Sequence, residues 1–419
     1  MLLDISRLLY SARHAGPGGI DRVELAYAQH FLRADARRPA YAVLHLFGRL
    51  YGVNPTGARR FIERLAARWN GPSGDDAAPK TPPKAGTDWR VYRALLAGHW
   101  MNNFQLRRRL RQHGTPPIFI VVSHHHLSVD YTIRRIRRFF GARCVCLLHD
   151  LIPIDFPEYV QPNRALRHQR ATATIARWFD AVITNSQTTA DAFRQLLRSK
   201  FAPGTSVPTI AVALPGVRAF PRGAPNPPPP AQSMPYFVVL GTIEPKKNHL
   251  LLLNLWTRLA ETLAEPPRLK VIGARGWDNE QVVDHLERSK RLRGLVEEHN
   301  HLDDQAVGAL LGDARALLMS SFTEGFGLPV AEALSSGVPV ICSDIAAFRE
   351  VGAGVPEYLD PLDLMAWRDM VLEYARPDSP RRAAQLERLS HWQAPRWQRH
   401  FEILENTLDD VTRAPRVCE

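Results

Sequence analysis

Short apolar runs alternate with longer segments of helical periodicity along almost the whole chain. In the first half the runs are 41–47, 118–122, 144–148, 181–184 and 209–214; in the second they are 236–240, 269–272, 316–319 and 338–342. Between them, 20–33, 163–179 and 250–263 repeat apolar residues every three or four positions, the spacing of one helix face. Strands alternating with helices predict parallel sheets covered on both faces. The pattern runs through twice. Its halves are separated by 219–235, the most proline-dense stretch of the chain, which neither a helix nor a central strand accommodates. The expected organisation is an N-terminal α/β domain over 1–218, a linker over 219–235, a second α/β domain over 236–390, and a segment 391–419 that docks back on the first domain. Within that last segment 391–411 reads as helix, with Trp392, Trp397 and Phe401 along one face. Residues 71–86, rich in Gly, Pro and Asp, read as a surface loop.

Composition agrees with two soluble domains. A chain of 419 residues exceeds one ordinary core, and 45% hydrophobic with 23% charged residues is globular usage. No apolar run approaches the roughly 18 residues that cross a bilayer. The start, with a buried acid at Asp4 and an early Arg7, lacks the basic and apolar regions of a secretory signal. Four cysteines are too few for a disulfide framework, and Cys144 and Cys146 alternate inside one apolar run as small core residues. A cytoplasmic setting fits. The net charge of +12 is concentrated in the first half, at 107–111 and 134–138. In the second cluster the arginines interleave with Ile133, Ile136, Phe139 and Phe140 at helical spacing. Such a helix either rests on anionic headgroups of a membrane or is a solvated helix with its apolar stripe in the core.

In open parallel sheets ligands sit where strands end and loops lead into helix N-termini, and four segments occupy that position. After the run 316–319 comes Ser321-Phe322-Thr323-Glu324-Gly325-Phe326-Gly327-Leu328-Pro329-Val330-Ala331-Glu332. Its glycines let backbone approach a ligand, Pro329 suits the first position of a helix, and free N–H groups there suit phosphate or sugar oxygens. Glu324 before the helix and Glu332 one turn inside it accept hydrogen bonds from paired hydroxyls. After 236–240, Lys246 and Lys247 stand at a loop-to-helix junction, where they would neutralise a diphosphate leaving group. Gly16, Gly18 and Gly19 precede the helix 20–33, with Arg22 as a second cation or a partner of Asp21 or Glu24. His149 and Asp150 leave the run 144–148. Three adjacent histidines, 124–126, do not readily converge on one metal ion.

Together these segments resemble glycosyltransferase family 4. The resemblance rests on the paired-glutamate stretch, on Gly241-Thr242-Ile243-Glu244-Pro245-Lys246-Lys247-Asn248, on Gly273-Ala274-Arg275-Gly276-Trp277 and on Gly337-Val338-Pro339-Val340-Ile341-Cys342-Ser343-Asp344, in matching order and spacing. It is strong from 236 to 360 and weaker before. It implies a retaining enzyme of the GT-B fold, two Rossmann-like domains with parallel sheets facing across a cleft. By the same resemblance Glu324 holds hydroxyls of the transferred sugar, the Gly325, Phe326, Gly327 and Leu328 backbone cradles sugar and diphosphate, and Glu332 binds the ribose. Gly18 and Gly19 lie toward the donor diphosphate, His149 stands beside the anomeric region, and Asp150 orients it or contacts the acceptor. The arginine many members carry after the glycine is Thr242 here, so more rests on Lys246 and Lys247. The base is read by backbone near Gly273 and His301. No metal or other cofactor is expected. The Glu-Pro-Lys-Lys-Asn and Arg-Gly-Trp variants look like those of bacterial surface-polysaccharide mannosyl- and rhamnosyltransferases. They suggest a GDP-sugar donor and a glycan or lipid-linked acceptor, with a UDP-sugar enzyme or an inactive nucleotide-sugar-binding protein as the alternatives. A nicotinamide dehydrogenase is excluded by the lack of a Gly-x-Gly-x-x-Gly run, and a nucleic-acid partner by the lack of any known module.

Overall fold

The computed structural model describes residues 1–13, 16–38, 40–46, 49–70, 100–112, 114–124, 126–202, 204–221, 234–300 and 302–415. The expected loop 71–86, most of the proline-rich linker, Phe47, His125, His301 and Cys418 lie outside them. The chain forms two compact units. The first is Met1–Ile154, Pro162–Pro215 and the residues from Trp397 onward; the second is Asp155–Gln161 and Gly216–Arg396.

Unit 1 is built on β1 (Leu2–Asp4), β2 (Tyr41–Leu46), β3 (Arg49–Gly52), β4 (Ile118–Val121), β5 (Arg143–Leu148), β6 (Ala181–Thr184) and β7 (Thr209–Val212), in the order β3-β2-β1-β4-β5-β6-β7. All pairs are parallel except the β2–β3 hairpin. Alternate residues feed two cores. Leu3, Ile118, Ile120, Val145 and Leu147 face the helices Gly19–Leu32 and Pro55–Asn70, whereas Leu2, Phe119, Val121, Cys144 and Cys146 face the helices Asn103–Arg111, Asp130–Phe140 and Pro162–Trp178. A sheet covered on both faces needs apolar residues at both parities, which is why its strands read as continuous runs. The C-terminal helix runs Trp397–Arg413 and buries Phe401, Leu404, Leu408 and Val411 in the first of these cores. His30 stacks on Phe401 at 3.9 Å, and His400 Nδ1–H donates to the Ala213 carbonyl (3.0 Å) while its Nε2 accepts from Tyr27 (2.8 Å). The helix starts six residues later than the apolar pattern suggests because Pro395 disfavours helical backbone before it. Trp392 lies in unit 2, where its indole donates to the Val351 carbonyl (3.1 Å).

Unit 2 carries β8 (Tyr236–Leu240), β9 (Arg268–Ile272), β10 (Val296–His299), β11 (Leu317–Met319), β12 (Val340–Ser343) and β13 (Glu357–Leu359), all parallel, in the order β10-β9-β8-β11-β12-β13. That order reverses direction between β8 and β11, the crevice where doubly wound sheets bind ligands. Buried Gln385 ties the sheet to the helix Pro380–Ser390: it accepts from Val340 N–H and donates to the Val340 and Val355 carbonyls. The segment Asp155–Gln161 belongs here although its neighbours in sequence do not. Tyr159 stacks on Phe322 (5.6 Å between ring centres, 7° between planes), and Trp277 Nε1 donates to the Tyr159 carbonyl (3.2 Å).

Candidate active site

In unit 2 the loops leaving β8 and β11 are laced together by backbone. Phe322 N–H donates to the Lys246 carbonyl (2.8 Å), and Ser320 Oγ to the Lys247 and Asn248 carbonyls (3.1 Å each). Lys246 and Lys247 lie on a 3-10 turn, Pro245–Lys247, that Asn248 ends with a left-handed φ of 53° before the helix His249–Thr262 begins. This turn aims both ammonium groups at Glu324. Lys247 Nζ donates to Oε1 at 2.5 Å and Lys246 Nζ to Oε2 at 3.2 Å, while Ser321 Oγ donates to Oε1 at 3.0 Å. Glu244, whose role the sequence did not disclose, completes the cluster 3.4 Å from Lys246 Nζ. Burial opposes ionisation of Glu324. The charges of Lys246 and Lys247, with hydrogen bonds from Lys247 and Ser321, outweigh it and bring the carboxyl down to about 2. For Glu244 burial wins over the same lysines, helped by the Glu324 charge, and its carboxyl is raised.

Two chemical consequences follow from this geometry. The lysines, expected to stand ready for a diphosphate, are already paired with carboxylates, so an incoming phosphate shares their ammonium groups with Glu324 and Glu244. An ionised carboxylate has about four acceptor positions, and three donors occupy Glu324. What it retains, chiefly on Oε2, suits one hydroxyl better than an anion.

The loop after Glu324 turns into the helix Leu328–Ser335 through Gly327, whose φ is 92° and whose Cβ, if it had one, would lie 2.8 Å from the Phe348 ring. Helix formation begins at Leu328, so Pro329 holds the second helical position and not the first. Phe326 is buried, Gly325 and Leu328 are half-buried, and Glu332 lies one turn inside the helix with its carbonyl accepting from Ser336 Oγ (2.7 Å). Thr242 is exposed beside Gly276. Gly273, leaving β9, packs against β8's exit so closely that a Cβ would stand 1.9 Å from the Gly241 carbonyl oxygen.

Next to the cluster, His249 is buried with neither ring nitrogen hydrogen-bonded. Burial first, then the Lys247 charge, push its pKa down to about 4. Below its ordinary value of 6.5 only the unfolded chain takes up this proton, so the residue costs stability as pH falls from 6.5 toward 4. A His249→Leu variant therefore gains on wild type by about 1.4 kcal/mol per pH unit over that window. Calorimetric melts of both proteins at pH 7 and pH 5 check this; a constant difference between them contradicts it.

In unit 1 the glycine turn is occupied by its own chain. Gly18 N–H donates to Asp21 Oδ2 (2.9 Å), and Asp21 Oδ1 accepts from Arg7 Nε and Ser11 Oγ (2.7 Å each). Gly19 opens the helix Gly19–Leu32 behind that carboxylate. An anion approaching Gly18 and Gly19 thus meets Asp21 first, a cap not recognised from the sequence. Glu24, 1% exposed on the same helix, is held well above the ordinary carboxylate range by burial and then by the Asp4 charge, against the opposing pull of Arg7 and the Leu8 N–H. His149, leaving β5, donates from Nε2 to the Val122 carbonyl (2.7 Å) and is pushed down to about 4, by burial above all. At neutral pH the ring is uncharged. Asp150 caps the short helix Ile152–Asp155 by accepting from Ile152 N–H (3.1 Å), and its carbonyl accepts from His168 (3.1 Å). His124 lies 5.7 Å from His149 and 4.8 Å from His168, ring to ring. Among the described residues no group of three His, Cys, Asp or Glu side chains is placed to hold a metal ion. The predicted residues thus fall into two sets: Gly18, Gly19, His149 and Asp150 in unit 1, and Thr242, Lys246, Lys247, Gly273 and the Glu324-to-Glu332 stretch in unit 2.

A family model described as Glycosyl transferases group 1 matches residues 225–353, and one described as Glycosyltransferase Family 4 matches residues 56–209. O-antigen chain mannosyltransferase B of Escherichia coli is 34% identical over 164 residues, 39% of this chain and 42% of that protein. O-antigen chain mannosyltransferase RfbU of Salmonella typhimurium is 29% identical over 139 residues, 32% of this chain and 37% of that protein. The serotype-specific mannosyltransferase WbdA of Escherichia coli matches at 32% over 117 residues, 28% of this chain but 14% of its own length. The matched stretches thus span less than half of these relatives. Among solved structures, Anabaena HepE in complex with UDP-glucose superposes with a TM-score of 0.60 over 99% of both chains at 14% identity. The trehalose 6-phosphate synthase of Burkholderia multivorans gives 0.52 over 78% of this chain and 77% of its own, also at 14% identity. The fold is GT-B. Both halves of the chain are thus similar to glycosyltransferase family models, family 4 among them.

Proposed function

We propose that this protein is a retaining glycosyltransferase that moves mannose, or a related deoxyhexose, from a GDP-sugar onto a glycan or lipid-linked acceptor in bacterial polysaccharide synthesis. The observation that carries the reading is the Lys246–Lys247–Glu324 cluster at the β8–β11 switch point. Its carboxylate is kept ionised by two cations, next to a helix start reached through Gly327. A sugar hydroxyl takes the remaining acceptor position of Glu324, and the departing diphosphate draws Lys246 and Lys247 toward itself, so the cations follow the charge as it develops. The incoming hydroxyl attacks the face the diphosphate leaves and gives it its proton, which retains configuration without a protein nucleophile. Glu332 binds the ribose, and neutral His149, with Asp150 beside it, orients the sugar at its anomeric carbon. The reaction needs no metal. The names of the relatives support mannose as the sugar.

Thermal melts of the chain with GDP, UDP, ADP and dTDP test the donor. At about a hundredfold excess over Kd, GDP raises the melting temperature by about 5 °C or more. Stabilisation by UDP alone overturns the GDP-sugar reading.

A further inference from the structure

The two helix layers of unit 1 differ sharply in charge. The layer on the Cys144–Cys146 face comprises the helices Asn103–Arg111, Asp130–Phe140, Pro162–Trp178 and Gln187–Lys200, and carries fifteen Arg and Lys against two acids, Asp130 and Asp191. The opposite layer, Ser6–Ser11, Gly19–Leu32, Pro55–Asn70 and Trp397–Arg413, carries eight basic against seven acidic residues. The basic layer's excess of thirteen thus exceeds the +12 of the whole chain. The same layer also leaves apolar side chains in water: Phe104 is 73% exposed, Tyr131 59%, Val129 55% and Leu166 47%. Three of them stand together. Phe104 meets Phe139 edge to face at 5.4 Å, under the Arg107 guanidinium that lies 4.9 Å from the same ring, and Tyr131 shares a groove with Arg135, Phe139 and Asn103 just after Val129.

We propose that this layer docks the protein on an anionic lipid bilayer, with the arginines at the headgroups and Phe104, Val129 and Tyr131 inserted at the interface. The combination decides the partner. A nucleic-acid backbone would satisfy the arginines and leave the apolar tips in water, whereas the edge of a bilayer takes both. Among the described residues no helix is long and apolar enough to cross a membrane. Val129 and Tyr131 follow the loop that leaves β4, at the end of the sheet where His149 leaves β5. On the reading above, docking brings that end to a membrane-borne acceptor.

Co-sedimentation of the full chain with vesicles tests this. Vesicles of phosphatidylcholine with phosphatidylglycerol carry the protein down, pure phosphatidylcholine vesicles do not, and salt releases it. Reversing Arg108, Arg111, Arg135 and Arg138 to glutamate weakens vesicle binding about 100-fold or more. Phe104→Ser with Tyr131→Ser also weakens it, and leaves binding to duplex DNA unchanged. Circular dichroism establishes that each variant is folded, and the serine pair remains informative should the charge reversal disturb folding. Equal binding to neutral vesicles, a charge-reversed variant that sediments as wild type, or insensitivity to the serine pair each overturns the proposal. The last, joined to tight DNA binding, assigns the layer to nucleic acid.

Discussion

Glu324→Gln is expected to cut sugar transfer about 100-fold or more while the chain stays folded. The change is nearly isosteric and removes the one carboxylate that both lysines share. Oε1 takes Lys247 and Ser321 and Oε2 takes Lys246, so an amide in its place presents an N–H to a cation at one of the two positions. The acceptor position for the sugar hydroxyl is lost with it, and the lysines are left without the anion that holds them on their turn. Glu244 stays beside Lys246, which keeps the cluster from carrying two unopposed buried charges. Losing charged hydrogen bonds of this kind costs about 1–3 kcal/mol, a drop in melting temperature by several degrees and not unfolding. Steady-state transfer rates with far-ultraviolet circular dichroism of the same samples check both halves. Lys247→Ala is expected to reach a similar loss of rate, and near-wild-type turnover in either folded variant defeats the assignment.

Gly273→Ala is expected to destabilise unit 2 strongly. The added carbon would stand 1.9 Å from the Gly241 carbonyl oxygen and 2.6 Å from its carbon, so backbone must move at the point where β8 and β9 part. Gly273 N–H also donates to the His299 carbonyl and Gly241 N–H to the Ile272 carbonyl, which ties the shift to both neighbouring strands. Overpacking of this kind costs about 3 kcal/mol, and the loop it displaces is the one that carries Lys246 and Lys247. Chemical denaturation measures the loss. A variant as stable as wild type would mean that the two strand exits have slack that the distances do not show.

The interior of each sheet was legible because it is buried on both sides. The runs 181–184 and 236–240 match β6 and β8 residue for residue, since apolar residues at both parities leave little choice of ends. The strands with no such run are β1, β3, β10 and β13. Three of these are sheet edges, and β10, Val-Glu-Glu-His, is half-buried along its whole length, so its polar residues hide the strand. The fourth, β1, has only three residues. Pairing of Lys246 and Lys247 with Glu324 joins positions almost eighty residues apart, and no local pattern encodes it. Glu244 was visible only as a letter in a motif, because its proximity to Lys246 comes from the tight turn at Pro245. The self-capping of Gly18 by Asp21 has a local signal, an acid three residues into a helix after glycines, and was open to a closer reading. The arginine clusters at 107–111 and 134–138 stood out in sequence, but only the layering shows that Arg164, Arg167, Arg170 and Arg177 share their side of the sheet.

Transfer from GDP-α-mannose to a synthetic lipid-tailed mannoside, with the product's anomeric configuration read by nuclear magnetic resonance, tests the retaining GDP-mannose reaction most directly. The expected result is an α-linked mannosyl product in the presence of a metal chelator, absent with Glu324→Gln. A β-linked product, a strict requirement for added divalent metal, or transfer from UDP-sugars with none from GDP-mannose would contradict it.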